Sequence, residues 1–155
     1  MSTIKPHDWL LLKRIARFGD IDAAGVIHFY HLFRWCHESW EESLDHYGLI
    51  ATNIFPSMVE REPALPIALP IIHCEADFFS PICIGDELGV SLLPCKLDPT
   101  SFQIEYQFKR GTDNVAIALL KHRAINAQTR CPCNLPEGVS RWLEASALNR
   151  GLSPL

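Results

Sequence analysis

Two carboxylates, Asp20 and Asp22, stand between Gly19 and Gly25 in the run Arg17-Phe18-Gly19-Asp20-Ile21-Asp22-Ala23-Ala24-Gly25-Val26-Ile27-His28, and a long amphipathic stretch follows at once. Glycines let backbone come close to a ligand, and a helix start offers unpaired amides carrying partial positive charge. An acid beside such amides suits acyl transfer. The carboxylate attacks a carbonyl carbon, or deprotonates a water that does so, while the amides stabilise the charge that develops on the carbonyl oxygen. The same acid can instead cap the helix by accepting its first amides. Asp20, two residues away, suits a structural role in which it hydrogen-bonds the loop's own amides. His28, His31 and His37 follow, the first two one helical turn apart. Two histidines with no third ligand point to polar lining or surface positions rather than to a metal.

The elements that must position this loop are readable on either side of it. Phe29, Leu32, Phe33, Cys36, Trp40, Leu44 and Tyr47 recur at three- and four-residue steps, with Arg34, Glu38, Glu41, Glu42 and Asp45 mostly between them. The spacing predicts a helix over 28–47, about 30 Å long, stopped by Gly48. Residues 9–18 alternate as a strand that delivers the chain to the loop. Beyond the helix, Pro63, Pro66 and Pro70 favour extended backbone, and the segment 56–70 is expected to form an ordered flap near the site. Four further strands are expected over 71–79, 86–95, 101–110 and 115–127, separated by turn residues. In the third, Phe102, Ile104, Tyr106 and Phe108 alternate with Gln103, Glu105, Gln107 and Lys109, so one apolar face is available for the helix to cover. Residues 135–148 predict a short C-terminal helix behind Pro136, and 149–155 a frayed end. Without internal repeats or linkers, the chain reads as one α+β domain over 1–155, in the order β-α-β-β-β-β-α.

Bulk composition narrows the function. A formal charge of −4 over 155 residues argues against a nucleic-acid surface, which needs a basic face. No apolar run approaches the roughly 20 residues of a membrane span, and the N-terminus lacks the pattern of a secretion signal, so a cytoplasmic protein is expected. Cys36, Cys74, Cys83, Cys95, Cys131 and Cys133 sit mainly in apolar stretches, where reduced thiols act as small hydrophobes. The Cys131-Pro132-Cys133 spacing is wrong for a redox or zinc pair.

A strand, then Phe18-Gly19-Asp20-Ile21-Asp22-Ala23-Ala24-Gly25-Val26, then a long helix, then Ser80-Pro81 and Gly85-Asp86 ahead of a strand, resembles the 4-hydroxybenzoyl-CoA thioesterase family of hot-dog proteins over about residues 8 to 128. Within it, the Asp-Ala-Ala-Gly-Val loop, Cys36-His37-Glu38, Trp40-Glu41, Lys121-His122 and Leu135-Pro136 resemble the 1,4-dihydroxy-2-naphthoyl-CoA thioesterases of phototrophs, which act in phylloquinone biosynthesis. The resemblance implies a long central helix wrapped by an antiparallel sheet of about five strands. It also implies a homo-oligomer, a dimer whose two sheets join or a tetramer of such dimers, with the active site at the dimer interface.

Residue by residue, the resemblance makes Asp22 the catalytic carboxylate and the Phe29 amide the group that polarises the thioester carbonyl. An aromatic acyl group needs an apolar slot with polar handles, for which His28, Phe29, Leu32, Leu69 and Pro70 are candidates, the last two from a neighbouring subunit. Coenzyme A needs a local cationic or polar rim, and Lys96, Ser101, Arg110, Lys121, His122 and Arg123 are the groups at hand. The benzoyl relatives carry a basic cluster ahead of a Ser-Phe pair, whereas this chain has Leu97-Asp98-Pro99-Thr100 before Ser101-Phe102. The expected reaction is hydrolysis of an aromatic acyl-CoA with no metal or redox cofactor. The alternatives are a fatty acyl or other aryl substrate, or an acyl-CoA-binding protein without turnover.

Overall fold

A computed structural model describes residues 7–49 and 67–147. The chain enters by a 3-10 turn at Asp8–Leu10 and runs into β1 (Leu11–Ile15), a second 3-10 turn at Phe18–Asp20 and the long helix α1 (Phe29–Tyr47). Next come β2 (Ile67–Ala68), β3 (Ile71–Phe78), β4 (Glu87–Asp98), β5 (Ser101–Arg110), β6 (Asp113–Arg123), β7 (Ile125–Asn126) and α2 (Glu137–Ala147). Five strands form one antiparallel sheet in the order β1-β4-β5-β6-β3, and β2 pairs with β7 in a separate two-stranded ribbon. The sheet with its central helix is the hot-dog arrangement that the resemblance implies. The flap expected over 56–70 lies outside the described residues up to 66, as do Leu148 and the residues 149–155 expected to fray.

Alternation explains the sheet's inner face. Leu88, Val90 and Leu92 of β4, Phe102, Ile104, Tyr106 and Phe108 of β5, and Ala116, Ala118 and Leu120 of β6 are all buried at every second position. Helix α1 lays Leu32, Trp35, Cys36, Trp40 and Leu44 against them. Its buried stripe differs from the expected one: His31, Trp35, Ser39 and Ser43 join it, while Phe29 stands 61% exposed and Phe33 and Tyr47 are half-buried. The helix ends at Gly48, whose φ of 109° is a left-handed cap that side chains disfavour. Helix α2 closes the end of the core with Val139, Trp142 and Leu143, and the Trp142 indole donates to Ser43 Oγ at 3.1 Å.

The element boundaries differ from expectation at the ends. The first strand begins only at Leu11, after the 3-10 turn, and stops at Ile15, beyond which Ala16 bonds the turn ahead of β4: its amide donates to Asp86 O at 3.0 Å and its carbonyl accepts from the Gly85 amide at 2.7 Å. Expected as one strand over 115–127, the last is two: β6 ends at Arg123, and the Ala124 amide turns to Thr100 O at 2.7 Å, freeing Ile125 and Asn126 to pair with β2.

Candidate active site

The loop between β1 and α1 is closed at its base by the Asp20 carbonyl, which accepts from the His28 amide at 3.0 Å. Inside it, residues 22 to 25 form a tight turn. The Gly25 amide donates to Asp22 O at 3.1 Å, and the Asp22 amide donates to Val26 O at 2.8 Å. Gly25 needs its φ of 83° to complete this turn, which is why a glycine sits there. Asp22 Oδ1 accepts from the amides of Ala24 at 2.7 Å and Val26 at 3.4 Å. Its second oxygen has no partner among the described residues, and the side chain is exposed. Asp22 therefore shapes its own loop with one oxygen and presents the other outward. It does not cap the helix: the N-cap is His28, which makes no side-chain cap bond.

Asp20 has the opposite environment. It is 6% exposed, its Oδ2 accepts from the Arg17 amide at 2.9 Å, and its Oδ1 accepts from the Arg34 guanidinium and faces His31 Nδ1 at 3.6 Å. Both oxygens are engaged in holding the loop to its neighbours.

At the start of α1 the amides of Phe29 and Tyr30 have no backbone acceptor among the described residues, while His31 already donates back to His28 O at 3.0 Å. These are the orphan donors of a helix N-terminus, with the positive end of the dipole behind them. Beside them lies a cleft of about 340 Å³, with Val26, Ile27 and Phe29 on one wall and Phe78, Phe79, Ser80, Pro81 and Ile82 on the other. The walls are laced together: the Ile27 amide donates to Ile82 O at 2.9 Å, and Val26 bridges to Cys83. Asp22 is not among the lining side chains, and reaches the cleft wall through its bonds to Val26. Ser80 and Pro81 belong to the turn motif of the resemblance, but Phe78 and Phe79 carry no motif; the nearest signal was two adjacent aromatics at a strand's end, and both are exposed.

The expected acyl-pocket residues are divided. His28 is half-buried beside Phe29 and Tyr30, with ring centroids 4.8 and 4.7 Å away, and its Nδ1 is buried without a hydrogen bond. Leu32 is fully buried in the core and lines no part of the cleft. Leu69 and Pro70 precede β3, at the far end of that strand from Phe78.

Among the groups expected at a coenzyme A rim, three are engaged by other residues of the chain. Ser101 is buried and donates from Oγ to Asp98 Oδ2 at 2.7 Å. Bonds from the side chains of Thr100 and Ser101 hold the Asp98 carboxyl down to a pKa of about 2. His122 is 1% exposed, stacked on Phe102 at 5.0 Å, with Nδ1 3.0 Å from Leu69 O; burial pushes its pKa down to about 4. Arg110 pairs with Asp86 at 2.8 Å and donates to Pro81 O at 3.0 Å, bracing the cleft wall. Lys96 and Arg123 are exposed and Lys121 half-buried, none with a side-chain partner among the described residues. Among those residues no three His, Cys, Asp or Glu side chains converge as a metal site.

Residues 16–143 match the model of the thioesterase-like superfamily. The chain belongs to that superfamily. Over 149 residues it is 57% identical to a 1,4-dihydroxy-2-naphthoyl-CoA hydrolase of the cyanobacterium Prochlorococcus marinus, covering 96% of each chain. It is 49% identical over 147 residues to a hydrolase of the same name from Synechococcus sp. strain CC9311, covering 95% of this chain and 96% of the relative. A crystal structure of a 1,4-dihydroxy-2-naphthoyl-CoA thioesterase from Synechocystis superposes with a TM-score of 0.77 at 28% identity, covering 86% of this chain and 94% of the other.

Proposed function

We propose that this thioesterase hydrolyses 1,4-dihydroxy-2-naphthoyl-CoA to the free acid and coenzyme A, a cytoplasmic step of phylloquinone biosynthesis. The observation that carries the site assignment is that the loop holding Asp22, with one carboxylate oxygen unoccupied, runs directly into the free amides of Phe29 and Tyr30 at the start of α1. The near full-length identity to hydrolases of that name supports the substrate.

In the reaction as proposed, the thioester carbonyl oxygen is held by the Phe29 amide, and Asp22 acts through its free oxygen. It takes a proton from water as the water oxygen bonds to the carbonyl carbon, or it bonds to that carbon itself to give an anhydride that water then opens. In both cases the C–S bond breaks and coenzyme A leaves as the thiol. Hydrolysis of a thioester transfers no electrons, so the chemistry calls for no redox cofactor, and carboxylate and amides supply the activation without a metal.

The site as proposed needs two copies of the chain. The cleft lies at the Phe78 end of β3, whereas Leu69, Pro70, Lys121 and Arg123 lie at the other end, where Ile71 pairs with His122. Seven residues of strand separate the ends by about 23 Å. β3 is one edge of the sheet, with Ile72 50% and Phe78 45% exposed, the kind of edge that pairs with another strand. Antiparallel pairing of two β3 edges about a two-fold axis sets Leu69 and Pro70 of the partner subunit beside this chain's cleft. A homodimer or a tetramer of such dimers fits this geometry.

The test is thiol release from 1,4-dihydroxy-2-naphthoyl-CoA, benzoyl-CoA and palmitoyl-CoA under matched conditions. Naphthoyl turnover should exceed the others by about 100-fold or more in kcat/KM, since the pocket must reject both a missing ring and a long chain. Preference for palmitoyl-CoA would overturn the substrate, and binding of all three without turnover would overturn the enzyme.

A further inference from the structure

Behind the loop that carries Asp22, a chain of ion pairs runs through a polar cleft of about 390 Å³ between β1 and α1. Asp20 is its buried end. Arg34, in the second turn of α1, donates to Asp20 Oδ1 and lies 3.5 Å from Glu38 Oε1. Glu38 also meets Arg14 of β1, with Arg14 Nε 3.3 Å away, and Arg14 holds Glu42 at 2.9 Å. The network ties strand, helix and loop together, and every tie to the loop passes through Asp20.

We infer that Arg34 is a positioning residue for the hydrolysis, holding Asp20 so that the Asp22 carboxylate and the Phe29 amide converge on one carbonyl. The geometry is specific. Asp20 touches both partners of the reaction at one remove: its carbonyl fixes His28, the residue before the Phe29 amide, and its side chain fixes Arg17, where the loop begins, while Asp22 is two residues on. Arg34 joins this junction to the helix that carries the amide. A buried carboxylate stripped of its cation is driven to find water or another partner, and the junction is the part that must move. A displacement of about 1 Å between reacting groups costs on the order of 100-fold in rate, whereas substrate binding, spread over the acyl and coenzyme A contacts, is insensitive to it. Arg34 touches neither acid nor amide of the reaction and is not itself catalytic.

The inference rests on the reading of Asp22 as the reacting acid, and the experiment separates the two. kcat and KM for 1,4-dihydroxy-2-naphthoyl-CoA are measured for wild type, Arg34→Gln, Arg34→Lys, Asp20→Asn, the Asp20→Asn/Arg34→Gln pair and Asp22→Asn. Arg34→Gln should lower kcat by about 10- to 100-fold with KM within about threefold. Arg34→Lys, which keeps the charge but not the fork of donors, should recover part of that loss. The double variant should be no slower than Asp20→Asn alone, because both changes cut one interaction. Should Arg34→Gln not fold, the lysine variant carries the test, with kcat below wild type and KM unchanged. A kcat within twofold of wild type in both arginine variants, a rise in KM alone, or additive losses in the double variant would overturn the inference. Full turnover by Asp22→Asn would instead overturn the reading of the acid, whatever Arg34 does.

Discussion

Asp22 and Asp20 are chemically identical and two residues apart, and their surroundings give them different work. Asp22 spends one oxygen on the amides of Ala24 and Val26 and leaves the other open, whereas both oxygens of Asp20 are taken inside the fold. The sequence pointed to Asp20 as the structural acid but assigned it the loop's own amides, of which it takes only that of Arg17, while those of Ala24 and Val26 go to Asp22 across the turn that Gly25 closes. The role proposed for the Phe29 amide allows a clean test. Phe29 is the first helical residue, where proline is tolerated, and His28 before it is already extended at φ −71° and ψ 135°. Phe29→Pro should keep the helix and delete the amide, lowering kcat by about 100- to 1,000-fold, while Phe29→Ala keeps the amide and loses only a modest part of the rate. Steady-state kinetics with far-UV circular dichroism as the fold control checks both. The rim residues were not legible in the same way. Lys121, His122 and Arg123 look like one polar cluster, yet in a strand the middle residue points opposite to its neighbours, and Ala116, Ala118 and Leu120 set that parity inward. The signal was present in the alternation of β6.

At the level of elements, periodicity located α1 and the sheet closely, and missed what packing decides. Ser39 and Ser43 look like solvent-facing residues, but both are fully buried because Trp40 of α1 and Trp142 of α2 crowd the same side of the helix, their rings 6.4 Å apart. A small residue is what leaves room there, and the Ser43 hydroxyl is what the Trp142 indole needs. Ser43→Ala should destabilise the fold by about 1–3 kcal/mol by leaving a buried N–H unpaired, with kcat unchanged, as read from urea unfolding and the thiol assay. The split of the last strand at Ala124 depended on β2, a partner distant in sequence, and local pattern carries no information about such a pairing.

At the scale of the whole molecule, buried His122 links acidity to stability. Above about pH 6.5 its ring is neutral folded and unfolded alike. As pH falls from there to about 4, the unfolded chain takes up a proton that the folded chain refuses, so stability is lost across that window, by on the order of 3 kcal/mol in all. Asp86 and Asp98, whose carboxyls are held below the usual 3.8, lose their contributions only at lower pH, so the windows separate. His122→Phe should flatten the fall in thermal midpoint between about pH 7 and about pH 4.5, and an unchanged slope would place its cause elsewhere. The two-ended arrangement of β3, with cleft at one end and Leu69 and Pro70 at the other, belongs to this scale too, and no single-chain motif records it. Asp22 is proposed to drive hydrolysis of 1,4-dihydroxy-2-naphthoyl-CoA. Thiol release from that substrate by wild type beside Asp22→Asn tests it most directly. Rapid turnover by wild type is expected, with a loss of about 100-fold or more in kcat for the variant and its thermal midpoint little changed. Equal rates in the two proteins would contradict it.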